Sequence, residues 1–251
     1  MVIVRYHQQR SRPRAILVDG CSGTDRYTAT GARRAWFVSG RRRRACAREV
    51  SLTPNAIART KTRYAAITNV RSGKPKRGPR SRGELVATFA NGNVTPISHA
   101  VDTALHRDEF GPFNFVVGDH EIAACASSLR GEAWSPGSGV HIFSNGPPDA
   151  TWPKVMRLRE MFLDCLKNQD LGDTALLDLL ADVSQPPDDE LPETGVPFEL
   201  ERILAPIFIR GEHYGTRAST LAYARSDGRL VLHERRFGPG GVQAGETRIE
   251  T

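Results

Sequence analysis

Cysteine is scarce in this chain and never clustered. Cys21, Cys46, Cys125 and Cys165 stand far apart, with no Cys-x-x-Cys pair. Disulfide scaffolds are denser in cysteine and zinc sites need closer ligands, so both are excluded. Free thiols in a cytoplasmic protein are the expectation. No histidine stands four residues from another, which removes the usual helical metal site. No metal and no cofactor is expected. Long apolar runs are also missing. Nothing approaches the ~20 residues that span a bilayer, and Met1 to Arg5 lacks the basic region and long apolar core of a signal peptide. There is no Gly-x-Ser-x-Gly elbow for a serine hydrolase and no Gly-rich phosphate loop.

Lysine is absent from the first sixty residues, which instead hold thirteen arginines against Asp19, Asp25 and Glu49. That segment carries +10 while the remainder sums to −3, so the basic balance belongs to one end. The run Arg41-Arg42-Arg43-Arg44 could neutralise phosphates. Aromatics make up only 7% of the chain, and no nucleic-acid-binding signature accompanies the run. A solvated basic face is the preferred reading, and nucleic acid is not the expected partner.

What is present reads as one α+β domain with strands in hairpins and helices in pairs. Ala15-Ile16-Leu17-Val18 predicts a strand closed by Asp19-Gly20, and Ala35 to Val38 another. Residues 51–62 show neither helical nor strand period. Tyr64 to Val70 predicts a strand buried on both faces. Ser81-Arg82-Gly83-Glu84 predicts a capping box opening a helix that stops at Asn91-Gly92-Asn93. A second helix is expected from about Pro96 to Arg107. Phe113 to Asp119 and Glu121 to Ala126 predict a hairpin, and Gly139 to Asn145 a further strand end. Trp152-Pro153 opens a helix whose Val155, Leu158, Met161, Phe162 and Cys165 recur at helical spacing. Thr174 to Val183 predicts a shorter helix. Proline-rich, acidic residues 184–198 predict an irregular loop, and Thr216 to Ala224 with Leu230 to Phe237 a closing hairpin.

Polar residues at strand ends draw attention. Thr68-Asn69, Ser144-Asn145 and Gly215-Thr216-Arg217 each set an amide or guanidinium beside an apolar strand. Amides aimed at a developing oxyanion are a known catalytic device. Taken singly, a turn Asn more often satisfies its own backbone.

Taken in order, six stretches resemble the NRDE family, also called the transport and Golgi organisation protein 2 family. They are Tyr64-Ala65-Ala66-Ile67-Thr68-Asn69, Ser81-Arg82-Gly83-Glu84-Leu85-Val86, Phe113 to Asp119, Phe143-Ser144-Asn145 with Trp152-Pro153-Lys154, Tyr214-Gly215-Thr216-Arg217-Ala218-Ser219-Thr220, and Glu246-Thr247-Arg248. The resemblance covers about residues 63–251. It implies an N-terminal-nucleophile hydrolase-like fold, a four-layer αββα sandwich of two antiparallel sheets between helices. In active relatives of that fold a Cys exposed by loss of the initiator Met attacks an amide carbonyl, with its own α-amine as base. By resemblance, Asn69 and Asn145 take the place of oxyanion or substrate-facing amides, Arg217 that of a site arginine, and Arg82 that of a ligand-binding group. No settled reaction is implied for the family, for which haem or lipid handling has been suggested.

The first residues depart from the family, which begins Met-Cys and continues with an Asn-Arg-Asp-Glu motif. Val2 stands at the nucleophile's position, and Asp19-Gly20-Cys21-Ser22-Gly23-Thr24-Asp25-Arg26-Tyr27 follows the strand. The string Arg107-Asp108-Glu109-Phe110 comes after a helix and is a coincidence. Residues 1–62 are therefore expected to be a degenerate start of the same domain, through frameshift or divergence, and residues 63–251 its body. Cys21 is a remote candidate nucleophile, since self-cleavage would have to precede it. The expected function is that of a catalytically impaired family member. The alternative is a protein that binds or traffics a small haem-like or lipid-like ligand. A nucleic-acid binder using Arg41 to Arg44 ranks third.

Overall fold

Buried residues alternate between two faces of the strand Tyr64 to Thr68. Ala65 and Ile67 point one way, Tyr64, Ala66 and Thr68 the other, and each is at most 9% exposed. A strand with no wet face has to be covered on both sides. The computed structural model describes residues 1–6, 14–23, 56–60, 63–73, 77–119, 122–224 and 230–250, with the backbone alone at 2–6, 14–23, 56–60, 224 and 230.

The strands are β1 (Val2–Tyr6), β2 (Arg14–Gly23), β3 (Ala56–Thr60), β4 (Arg63–Asn69), β5 (Phe113–Gly118), β6 (Ala123–Ser127), β7 (Gly139–Phe143), β8 (Tyr214–Ala224), β9 (Leu230–Phe237) and β10 (Gln243–Glu250). The helices are α1 (Arg82–Asn91), α2 (Pro96–Leu105), α3 (Pro153–Lys167), α4 (Asp173–Leu179) and α5 (Phe198–Leu204). One sheet has six strands in the order β10-β9-β8-β2-β1-β7, the other four in the order β3-β4-β5-β6. Their ladders are antiparallel throughout. Among the described residues the fold is thus mixed α/β, with two antiparallel sheets and five α-helices.

Three apolar clusters organise it. In the first, Leu85, Val86, Phe89 and Ala90 of α1 and Ala100 and Ala104 of α2 pack on Ala65, Ile67, Phe113, Phe115, Val117, Ala124 and Ala126. In the second, Val155, Leu158 and Phe162 of α3 and Leu176 and Leu177 of α4 pack with Met1, Ile142 and Leu221. The third lies between the sheets and joins Tyr64, Ala66, Val116 and Cys125 to Phe143, Ala222 and Leu232.

The helix starts follow from their sequences. Ser81 Oγ accepts from Gly83 N at 3.2 Å and Glu84 Oε1 accepts from Ser81 N at 3.0 Å, the capping box expected there. Pro96 and Pro153 occupy first turns, where a missing N–H costs nothing.

Several expectations need correction. Residues 56–60 form β3, at the edge of the four-stranded sheet. Its pairing comes from the ladder with β4, which side-chain period does not reveal. β2 does not close at Asp19-Gly20 but continues to Gly23, because β8 offers a partner along that whole length. Helix α5 begins at Phe198, where an irregular loop was expected to end, and β10 adds an edge strand that residue pattern had not marked. α4 stops at Leu179, short of Val183. Ala35 to Val38 and Arg41 to Arg44 lie outside the described residues.

Candidate functional site

Both sheets turn polar at the same end of the space between them. On the four-stranded sheet the inward residues Tyr64, Ala66, Val116 and Cys125 are followed, two positions along the same face, by Thr68, Asn114 and Ser127. On the six-stranded sheet Ala222 and Leu232 give way to Thr220 and Glu234, which sit opposite each other in register. The same row contains Val18, Val2 and Phe143, so Val2 stands at this end of β1.

Asn114 is the hub on the first side. Its Nδ2 donates to Gly146 O at 2.8 Å and Ser144 O at 3.1 Å, while its Oδ1 accepts from Ser127 Oγ at 2.7 Å. Thr68 Oγ1 donates to the same Ser144 carbonyl at 2.9 Å. These bonds tie the end of β7 to β4, β5 and β6. The Ser144-Asn145-Gly146 turn is fixed further by the Trp152 indole, which leaves no room for a Cβ at Gly146. Trp134 stacks on Phe143 just inside, with ring centroids 6.4 Å apart.

Asn69 and Asn145 are brought together, but in different states. Asn145 Nδ2 donates to Asn69 O at 2.8 Å, and Asn145 O accepts from Arg71 N at 2.6 Å. The Asn145 amide therefore clamps backbone. Asn69 Oδ1 and Ser144 Oγ are buried with no hydrogen-bond partner among the described residues. Buried polar atoms in that state are rare.

Arg217 is the extra residue of a β-bulge. Gly20 pairs with Ala218 and Cys21 with Thr216, so the ladder skips it. Bulges re-aim a side chain at sheet ends and active sites. Cys21 thus lies in the β2 ladder beside Thr216. Arg82 is engaged elsewhere. Its Nη1 donates to Pro112 O at 2.9 Å, a carbonyl that also accepts from Val70 N at 3.0 Å. Burial pushes its guanidinium pKa down. It pins the exit of β4 to the entry of β5.

Sequence reasoning missed three features here. Asn114 was legible as the one polar residue in Phe-Asn-Phe-Val-Val. Glu234 was legible as an acid two positions from Leu232 on a strand. The Arg71–Glu201 pair was not legible, because its partners are 130 residues apart. Arg71 Nη1 meets Glu201 Oε2 at 2.5 Å, both side chains being nearly buried. Glu201 Oε1 also accepts from Thr194 N at 2.9 Å.

On the helix-covered side of the six-stranded sheet a second polar cluster gathers around His233. Its Nδ1 meets Asp173 at 3.0 Å and its Nε2 meets Glu246 at 2.6 Å. Arg248 Nε and Tyr223 OH donate to the same Asp173 carboxylate at 3.0 and 2.9 Å. Among the described residues no group of three or more His, Cys, Asp or Glu is placed to hold a metal ion. No helix among them is long and apolar enough to cross a membrane. Burial pushes the Cys125 thiol far above its usual range, which leaves it inert.

The family model described as Transport and Golgi organisation 2 matches residues 55–239. The chain is 26% identical over 192 residues to the Transport and Golgi organization protein 2 homolog of Bos taurus, a stretch covering 70% of this chain and 69% of the bovine protein. It is 25% identical over 205 residues to the homolog of Homo sapiens, covering 75% of this chain and 74% of the human one. With ordered motifs from β4 to β10 and a family match from β3 to β9, this chain belongs to the Transport and Golgi organisation 2 family.

Proposed function

We propose that this chain is a non-hydrolytic family member that holds a small organic ligand at the neighbouring ends of β4 and β7. The supporting observation is the pair of buried, unpartnered atoms Asn69 Oδ1 and Ser144 Oγ beside a rigid Asn114 network. Two such atoms at strand ends that the Asn145–Asn69 bond joins suit a ligand that completes their bonds. Asn145 and Arg217 belong to the same site in this reading, as does Arg82 through its hold on β4. The reading includes a four-layer αββα sandwich of N-terminal-nucleophile type, supported by helix-sheet, sheet-sheet and sheet-helix clusters. It also takes residues 1–62 as a degenerate start of the same domain, supported by the place of β1 and β2 inside the six-stranded sheet. A haem-like or lipid-like ligand, a cytoplasmic location and no resident metal complete it.

Amide hydrolysis is the rival. Val2 occupies the β1 register position opposite Phe143 and Val18, and valine carries no nucleophilic atom. The test is mass spectrometry of the organic extract of the purified chain, with N-acyl amide hydrolysis assayed in parallel. Ligand carry-through without turnover is expected, reduced severalfold in the Asn69→Ala/Ser144→Ala variant. Turnover by the unaltered chain that Asn145→Ala abolishes overturns the reading in favour of an amidase.

A further inference from the structure

Between α4 and β8 the chain makes one long excursion. It leaves at Asp182 and returns at Phe208, whose N–H donates to Asp182 O at 2.8 Å and closes the neck. From 183 to 200 no residue is buried, and none from 183 to 203 belongs to the three apolar clusters. Segments without buried apolar contacts are the ones that open locally. This one is held by polar contacts instead. Arg202 Nε meets Asp188 Oδ1 at 3.0 Å, and Thr194 N donates to Glu201 Oε1 at 2.9 Å, which ties the excursion into one flap.

At its base Lys154 Nζ donates to Leu204 O at 2.8 Å. Farther out, its described contacts with the body converge on residues 71–73. Gly73 N donates to Thr194 O at 2.7 Å, and Arg71 Nη1 donates to Glu201 Oε2 at 2.5 Å. Gly195 crosses Gly73 so closely that a Cβ on it would stand 3.2 Å from Gly73 Cα. Both glycines have positive φ, so each permits the crossing by conformation as well as by size. Residues 71–73 also brace the candidate site. Arg71 N donates to Asn145 O at 2.6 Å, and Asn145 Nδ2 donates to Asn69 O at 2.8 Å. The Arg71 guanidinium lies 5.7 Å from the centre of the Trp152 ring that packs on Gly146. One chain of bonds thus runs from Thr194 and Glu201 through Arg71 to Asn145 and Asn69.

We propose that residues 183–203 are a flap whose docking on residues 71–73 sets the Asn145–Asn69 pair, with Glu201 as the positioning residue of the latch. Lifting the flap frees Arg71, so an open flap and slack amides occur together. Given the reading of the β4 and β7 ends as a ligand site, on which this consequence rests, a docked flap tightens the ligand and a bound ligand tightens the flap, because coupling is reciprocal.

The experiment is hydrogen exchange of single amides by NMR on the full chain, Glu201→Gln and Thr194→Val, each checked by thermal melting. Three amides report in order along the chain of bonds: Thr194 on the latch, Gly73 on docking and Arg71 on the brace of Asn145. All three are expected to exchange at least tenfold faster in Glu201→Gln, and by a smaller factor in Thr194→Val. Val70 N, held by Pro112 O, should keep its rate. Acceleration of Thr194 and Gly73 without Arg71 overturns the coupling, and so does an equal acceleration of Val70, which a general loss of stability produces. Should Glu201→Gln not fold, Thr194→Val decides alone. The organic extract of Glu201→Gln should hold severalfold less ligand than that of the unaltered chain. Equal content beside accelerated exchange overturns the link to the ligand. An unaltered chain that carries no ligand sinks the ligand-site reading, while the three amides still decide the flap.

Discussion

Asn114 concentrates more of the site's order than any other single side chain. Its amide satisfies two carbonyls of the β7 exit and one hydroxyl of β6, all buried. Replacement by Ala strands those groups, and each buried unsatisfied partner costs about 1–3 kcal/mol. Asn114→Ala is expected to lower stability by about 3 kcal/mol, read as a fall in the urea midpoint at unchanged slope. A midpoint within error of the parent would mean that the network is slack. Cys125, one strand away, offers no such chemistry, since its burial removes the thiolate on which reactivity depends.

At the scale of elements the edge strands are the exposed points, and side chains staple them. β7 is closed by Asp149, whose Oδ1 accepts from Ile142 N at 2.8 Å and Arg159 Nη2 at 2.5 Å, and whose Oδ2 meets His141 Nδ1 at 3.1 Å. The hydrogen bond that His141 donates to Asp149 raises the His141 pKa, against a smaller pull from burial. Burial pushes the Asp149 carboxyl up, but bonds from His141, Ile142 N–H and Arg159 together hold it below its ordinary value. A raised histidine pKa gives stability that is complete below the unfolded value and lost as pH rises through the folded one. A depressed carboxyl gives stability that is complete above its unfolded value and lost on acidification. The staple is therefore complete between roughly pH 4 and pH 6.5. Melting temperatures of the parent and His141→Gln should differ most in that window and converge as pH climbs past it. A gap that widens with rising pH would contradict the assignment. β10 is held in a similar way by His233 and Arg248, which meet Asp173 at the start of α4.

For the whole molecule, the decisive ties are the long ones. Arg71–Glu201 joins the exit of β4, next to the candidate site, to α5. Removing one member of a buried pair leaves an uncompensated charge and costs about 3–5 kcal/mol, whereas apolar replacement of both is often close to neutral. Arg71→Met is expected to destabilise by about that amount and Arg71→Met/Glu201→Met to recover most of it, in a double-mutant cycle by chemical denaturation. Additive losses in the double variant would show that the two side chains act separately. The candidate site depends on assembly at this scale, since the ends of β4 and β7 that form it come from different sheets whose strands interleave along the chain.

The amino-acid sequence by itself determined the local elements. The capping box at Ser81, the apolar stripe of α3 and the doubly buried run of β4 are short-range patterns, and each formed where its residues dictated. It also carried the family, through motifs that keep their order, and the strand-end residues Asn69, Asn145 and Arg217. Which of these amides is engaged and which is left open was decided by tertiary structure. Asn145 meets a backbone carbonyl from β4, 76 residues away, while Asn69 Oδ1 meets nothing described. β3, α5 and β10 likewise escaped local reading, because an edge strand or a helix of about two turns is stabilised by its neighbours more than by its own pattern. The same holds for Glu234. Its sequence neighbours mark only a strand, and its burial and its Thr220 partner come from assembly of the sheet.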